Sequence, residues 1–231
     1  CDRGRCGWAP CSDDASFVKH LIDNFKGSYK IRNVYMIGNS SGGTFVNSYV
    51  CKYPESITSA ISINGMSRLG FGCTPNQPVN FITYASLKDT SVPPIGGISA
   101  DGLFYETQES LIKTWVDKFE CKEKASKTYK HFETFNENLF SECLGGIKIV
   151  SILNLDSDHM WPEAGYDKDT GLSSYTNYGT CVTDIQDEFK IPKCYRTNDR
   201  WGSEFILKKL FEFDNVCLLY TSDAADEACC V

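Results

Sequence analysis

The chain has 231 residues, 42% hydrophobic and 23% charged, the balance of an ordinary globular domain long enough for one sizeable core. Its formal net charge of -7 argues against a nucleic-acid partner or an anionic membrane surface, and no apolar run approaches the ~20 residues that span a bilayer. Twelve cysteines point to an oxidising, extracellular compartment. They form no C-x-x-C pair and no zinc-like pattern with histidine, so disulfides rather than a metal are expected.

Cys1, Cys6 and Cys11, among Gly and Pro, read as a loop pinned by disulfides. The chain opens on Cys1 with no initiator Met, and is expected to be a fragment whose beginning is missing. Ser12-Asp13-Asp14 offers an N-cap and first-turn acids. Phe17, Val18, Leu21, Ile22 and Phe25 follow at helical spacing, predicting a helix with these five on its inward face, ended by Gly27. Val34 to Ile37 is a short buried strand, and the stretch from Thr44 to Lys52 is a helix with Phe45, Val46, Tyr49 and Val50 inward, stopped by Pro54.

Strands are next expected at Ser59 to Asn64 and at Val79 to Ser86, then a helix from Glu106 to Phe119 with Leu111, Ile112, Trp115, Val116 and Phe119 inward. Cys121 and Cys143 bracket a charged stretch read as a helical excursion and are expected to pair across it. A strand from Ile147 to Leu155 runs into Asp156-Ser157-Asp158-His159. Residues 163–200, rich in Gly, Asn, Asp, Thr and Tyr, read as an inserted loop stapled by Cys181 and Cys194. A closing amphipathic helix spans Ser203 to Phe213. Alternating strands and helices give an α/β fold with a mostly parallel sheet, whose polar sites gather past the carboxyl ends of its strands.

The stretch from Cys217 to Glu227 resembles a translated transposase-type sequencing adapter, so residues 217–231 are set aside as a non-native tail and residues 1–216 are taken as one domain. Nine cysteines remain once Cys217, Cys229 and Cys230 are removed. An odd number is what a lost upstream partner would leave.

Between the Val34–Ile37 strand and the following helix stands Gly38-Asn39-Ser40-Ser41-Gly42, with the spacing G-x-S-x-G. A strand, this pentad and a helix make up a nucleophile elbow, a sharp turn that holds a serine up at the end of a sheet. The two glycines of the pentad are expected to be required because a Cβ at either would crowd the neighbouring strand and helix. Hydrolysis of an ester needs a nucleophilic oxygen, a base, a carboxylate to orient the base and donors for the oxyanion. Ser40 is the nucleophile candidate, and Ser41 the candidate for a backbone N–H on the oxyanion.

There are three histidines. His20 lies on the polar side of the first helix and His131 in a charged stretch, so both are expected to be solvated. His159 directly follows a strand and is the candidate base. Asp89 follows another strand and falls between Ser40 and His159, giving the order Ser, Asp, His of α/β-hydrolases. Asp101 is a weaker rival, with nothing strand-like before it. Asp156 and Asp158 are sequence neighbours of His159 that a tight turn keeps from its ring. The alternative readings are a serine in a glycine turn for Ser40 and a loop histidine stacked on Trp161 for His159.

Asp13-Asp14-Ala15-Ser16-Phe17, the run from Val34 to Gly43, Asp89-Thr90-Ser91-Val92-Pro93-Pro94 with Gly96-Gly97, and His159-Met160-Trp161-Pro162 occur in this order. Together they resemble the secreted esterases grouped as polyhydroxybutyrate depolymerases, feruloyl esterases and acetyl xylan esterases. The resemblance covers roughly residues 12 to 213. It implies an α/β-hydrolase fold lacking its N-terminal strands, with Ser40, Asp89 and His159 as triad, and no cofactor. It also implies a polymeric or small ester as substrate. The family carries His-Gly before its acid where this chain has Tyr84-Ala85-Ser86-Leu87, and glycines before its His where this chain has Asp156-Ser157-Asp158. Its second oxyanion donor comes from a loop near the start of the domain that these residues do not include, so low activity is expected of them alone. Trp161, with Tyr166, Tyr175 and Tyr178, offers rings for a sugar face or a phenolic acid and favours a plant cell-wall ester over a polyester. A catalytically silent carbohydrate- or polymer-binding protein and a serine peptidase are the competing readings.

Overall fold

The computed structural model describes residues 13–131, 133–162 and 201–213. The chain divides into two compact units, Cys1–His159 and Met160–Val231.

The first element among the described residues of the first unit is α1, Asp14–Ser28, capped by Asp13, whose carboxylate accepts the Ser16 N–H at 3.1 Å. Lys52 and Ser16 also bond this carboxylate and hold its pKa down at about 2. β1 is Tyr35–Asn39, α2 is Ser41–Lys52, β2 is Ser59–Ile63 and β3 is Asn80–Ser86. Two-residue strands β4, Gly97–Ile98, and β5, Phe104–Tyr105, form a small separate sheet. Then come α3, Gln108–Lys118, β6, Glu123–His131, β7, Glu133–Ser141, and β8, Ile149–Asn154.

The main sheet has the order β1-β2-β3-β8-β7-β6. β1, β2, β3 and β8 are mutually parallel, with Ile37 opposite Ile61, Ile61 opposite Ile82, and Ile82 opposite Val150. Every residue of β2 is buried, as a central parallel strand requires. Parallel pairing sends the carboxyl ends of β1, β3 and β8 to one rim, and the site is built there.

Between Cys121 and Cys143 the sequence predicts a charged helical excursion. The structure instead folds β6 and β7 into an antiparallel hairpin on the far side of β8. The stretch carries alternation rather than a 3.6-residue period: Phe135 and Glu137 are buried while their neighbours are less so. Its Thr, Tyr and Phe residues also favour a pleated surface. β6 is the edge strand, nearly all exposed, and its Lys124, Lys127 and Lys130 discourage pairing with another chain. The Cys121–Cys143 disulfide closes the base of the hairpin. A second disulfide, Cys51–Cys73, ties the end of α2 to the loop after β2, a pairing that the cysteine spacing does not announce.

Helices α1, α2 and α3 share one apolar cluster with the sheet, in which Val46, Tyr49, Val50, Leu111, Ile112 and Trp115 meet Ala60, Phe81, Ala85 and Ile149. The Trp115 ring stacks on Phe81 with centroids 4.1 Å apart, worth about 0.5–1.5 kcal/mol beyond the area it buries. Thr107 caps α3 by accepting the Ser110 N–H at 2.9 Å, and buried Gln108 bonds Thr83 Oγ1 and the Ile152 carbonyl, each at 3.0 Å.

The five apolar residues of α1 do not all face inward. Val18 and Ile22 pack against the core with Ala15, while Phe17 and Phe25 are 62% and 55% exposed. The five residues make two adjacent stripes, and a helix lying beside one neighbour, α2, buries one of them.

The second unit is described at 160–162 and at 201–213, where Trp201–Phe211 form α4. The expected loop over 163–200 with its Cys181–Cys194 bridge, the cysteine loop before residue 12 and the tail at 217–231 lie outside the described residues.

Candidate active site

The turn between β1 and α2 is formed by Ser40, with φ 55° and ψ -120°. A non-glycine residue at positive φ costs about 1–3 kcal/mol and persists where the surroundings enforce it. Here the Ser40 N–H donates to the Ile63 carbonyl at 2.9 Å, and the Ser40 carbonyl accepts the Thr44 N–H at 3.0 Å as α2 begins. The sharp turn is thus held from β2 on one side and from the helix on the other.

The glycines divide differently from the sequence expectation. A Cβ on Gly38 would overlap the Gly42 carbonyl, so this position requires glycine. A Cβ on Gly42 would meet nothing within 4 Å. The close approach falls one residue later, where a Cβ on Gly43 would lie 2.7 Å from the Ile63 carbonyl, and Gly65 packs its own Cα against Gly43. The Gly42 backbone packs against Gly38 of β1 while its Cβ position is open, and the Cβ position of Gly43 faces β2.

Ser40, Asp89 and His159, far apart in the chain, come together at the carboxyl rim of the sheet. His159 Nε2 is 2.8 Å from Ser40 Oγ, and its Nδ1 is 2.7 Å from Asp89 Oδ2. The Asp89 side chain is wholly buried and that of His159 is 26% exposed. Asp89 Oδ1 accepts the N–H groups of Ser91 and Val92, both at 2.8 Å, which fixes the carboxylate and leaves Oδ2 for the imidazole. Asp89 follows β3 by three residues and His159 follows β8 by five, so neighbouring parallel strands deliver them side by side.

Ser41 is the first residue of α2, so its N–H is among those without an intrahelical acceptor, at the positive end of the helix dipole. A pocket of about 150 Å³ opens beside Ser40, lined by Ser41, Thr44, Ser91, Val92, Asp101, Tyr105 and His159. Asp101, considered from sequence as a rival for the triad acid, lines this pocket instead. Burial raises the Tyr105 hydroxyl pKa, and the neighbouring Arg68 opposes that rise. Sequence reasoning names neither Thr44 nor Tyr105 as a site residue: Thr44 reads as one more residue of α2, and Tyr105 lies in β5, whose two residues are too few to carry a period.

Other candidates of the first unit fall outside this cluster. His20 and His131 are exposed. Asp158 is exposed. Asp156 caps the Thr134 N–H at 2.7 Å, a bond that lowers its pKa. Trp161 belongs to the second unit, where its indole N–H donates to Ser203 Oγ at 3.3 Å. Tyr84, standing near where the family carries His-Gly, is buried in the sheet and accepts a bond from Asn154. Among the described residues no group of His, Cys, Asp or Glu is arranged to hold a metal ion. None of the described helices is long and apolar enough to cross a membrane.

Compared with known proteins, residues 6–88 match a family model described as alpha/beta hydrolase fold. The fold is α/β, of the hydrolase type. The matched segment contains β1, the Ser40 turn, α2, β2 and β3. No curated protein matches the sequence. Among solved structures the chain is similar to a thermostable esterase, at 19% identity and a TM-score of 0.36, over 46% of this chain and 26% of that one. The match therefore spans about a quarter of the esterase's length.

Proposed function

We propose that the protein is a secreted serine carboxylic ester hydrolase acting through an acyl-enzyme. The observation that carries this reading is the continuous relay from Ser40 Oγ through His159 to Asp89 Oδ2, with contacts of 2.8 and 2.7 Å. Those are general-base distances.

In this reading His159 Nε2 takes the Ser40 proton as Oγ attacks the ester carbonyl. Asp89, pinned by two backbone N–H groups, keeps the other imidazole proton on Nδ1 and stabilises the imidazolium that forms. The Ser41 N–H donates to the developing oxyanion. His159 then protonates the leaving alcohol, and a water molecule activated by the same imidazole releases the acyl group from Ser40.

For substrate class we favour plant cell-wall esters, of feruloyl or acetyl xylan type, over polyhydroxybutyrate. The pocket beside Ser40 supports this preference, since Ser91, Thr44, Asp101 and Tyr105 bring hydroxyl and carboxylate groups suited to a hydroxylated substrate. Trp161 is proposed as a stacking residue on its sequence position after His159. The two disulfides among the described residues support the extracellular location.

A fluorophosphonate probe is expected to label Ser40 on the wild-type chain and to leave Ser40→Ala unlabelled. Rates on methyl ferulate, acetylated xylan, poly(3-hydroxybutyrate) and a peptide amide then rank the substrate classes. A folded protein with no adduct on Ser40 is a binding module and not an esterase.

A further inference from the structure

We propose that Asn154 is a positioning residue for this reaction, its amide clamping the turn that carries His159 to the turn that carries Asp89. The inference rests on the esterase reading, since it concerns the same relay.

Asn154 ends β8, opposite Ser86 at the end of β3 and Phe135 in β7. From these strand ends the chain runs three residues to Asp89 and five to His159. Asn154 is fully buried, and a buried amide is costly unless its donors and acceptor are all used. Here they are. Oδ1 accepts the N–H groups of Asp156 at 2.9 Å and Ser157 at 3.2 Å. Nδ2 donates to Tyr84 Oη at 2.7 Å and to Glu133 Oε2 at 2.5 Å. With four partners from two strands and one turn, the amide has one orientation.

The clamp extends to the acid. Drawn in by Oδ1, Ser157 presents its carbonyl to the Lys88 N–H at 3.1 Å, and the Asp156 carbonyl accepts Lys88 Nζ at 3.0 Å. The Asn154 carbonyl accepts the Leu87 N–H at 2.8 Å. Leu87 and Lys88 are the two residues before Asp89, so the turns bearing the acid and the base are laced together through Asn154. Strand pairing needs only its backbone, and the side chain serves the two turns. Glu133 joins from β7, held beside Asn154 where burial raises its carboxyl pKa.

The test uses the full chain with p-nitrophenyl acetate as probe and four variants: Asn154→Ala, Asn154→Asp, the double variant Asn154→Asp/Glu133→Gln, and Ser40→Ala. Displacing a reacting group by about 1 Å costs on the order of 100-fold. Asn154→Ala is therefore expected to lower kcat by about 10- to 100-fold with KM within about twofold. Asn154→Asp keeps the acceptor for both turn amides but sets a carboxylate against Glu133. The double variant reverses that bond, so it is expected to recover kcat to within about threefold of wild type. Active-site titration with the fluorophosphonate puts every rate on a per-folded-site basis.

The proposal is overturned if Asn154→Ala keeps kcat within about twofold, if its loss vanishes per titrated site, or if the double variant does no better than Asn154→Ala. Ser40→Ala separates the two claims. If it retains wild-type activity, the esterase reading falls and takes the inference with it. If it is silent while Asn154→Ala is fully active, the inference alone falls.

Discussion

Asp89→Asn exchanges one oxygen for an NH2 group of nearly equal size, and the surroundings of Asp89 dictate the consequence. Oδ1 accepts two backbone N–H groups, from Ser91 and Val92, each at 2.8 Å. The amide oxygen of the variant must occupy that place, because the flipped orientation would set an NH2 against two N–H donors and leave both unsatisfied, at about 1–3 kcal/mol each. The NH2 then falls at the Oδ2 position, 2.7 Å from His159 Nδ1. It donates, so Nδ1 must accept, and the neutral ring carries its proton on Nε2. That proton faces Ser40 Oγ, 2.8 Å away, and the ring can no longer act as its base. A wrong tautomer in such a relay costs about 10⁴-fold in kcat, or about 5.5 kcal/mol of transition-state stabilisation. The assay is kcat/KM on p-nitrophenyl acetate beside a thermal melt, with the melting temperature expected to stay near that of wild type. A variant within about tenfold of wild-type kcat/KM would refute the argument that Asp89 sets the tautomer of His159.

Three other outcomes are expected. Gly43→Ala, which drives a Cβ into the Ile63 carbonyl, is expected to lose more than about 2 kcal/mol by urea unfolding, whereas Gly42→Ala, with open space and a helical position, is expected to be neutral or to gain about 0.5–1 kcal/mol. Replacing Cys51 and Cys73 together by Ser opens a loop of 22 residues, and chain entropy sets the expected loss at about 3 kcal/mol, read as a lower denaturation midpoint with activity per folded molecule retained. Glu133 has a raised folded-state pKa because of burial. The stability linked to it is therefore full below its unfolded pKa and is lost as pH rises through the folded value. Glu133→Gln is accordingly expected to raise the melting temperature at pH 7, with the difference closing in melts taken below 4.5, the ordinary value for a glutamate carboxyl. A difference that grows toward acid would show that the charge stabilises the fold.

Much of the fold can be read from local pattern, because burial in α2 and α3 repeats at the helical period, and β2, β3 and β8 are short runs buried almost throughout. Val46, Tyr49 and Val50 on α2, and the wholly buried strand at Ser59–Ile63, are examples in which residue choice and position carry the same information. The elbow is legible for a similar reason. A strand, a tight turn and a helix lie within some twenty consecutive residues, and Gly38 announces a place where no Cβ fits. Even the candidates Ser40, Asp89 and His159 follow from chain order and strand ends.

Contacts between distant segments cannot be read in this way. That Gly43 rather than Gly42 meets β2 depends on the rotation of α2 against the sheet. The β6–β7 hairpin resembles a helix in sequence because charge density masks a period of two, and pairing with β8 decides its identity. Half of the apolar face of α1 stays exposed because α2 offers it one side to pack on. The two bonds to Asp89 Oδ1 and the two to Asn154 Oδ1 come from backbone N–H groups, which residue types other than proline carry alike. No letter in the sequence marks them. The sequence determined which side chains are available to react, and the parallel register of β3 and β8 decided that an acid and a base 70 residues apart would stand 2.7 Å from each other.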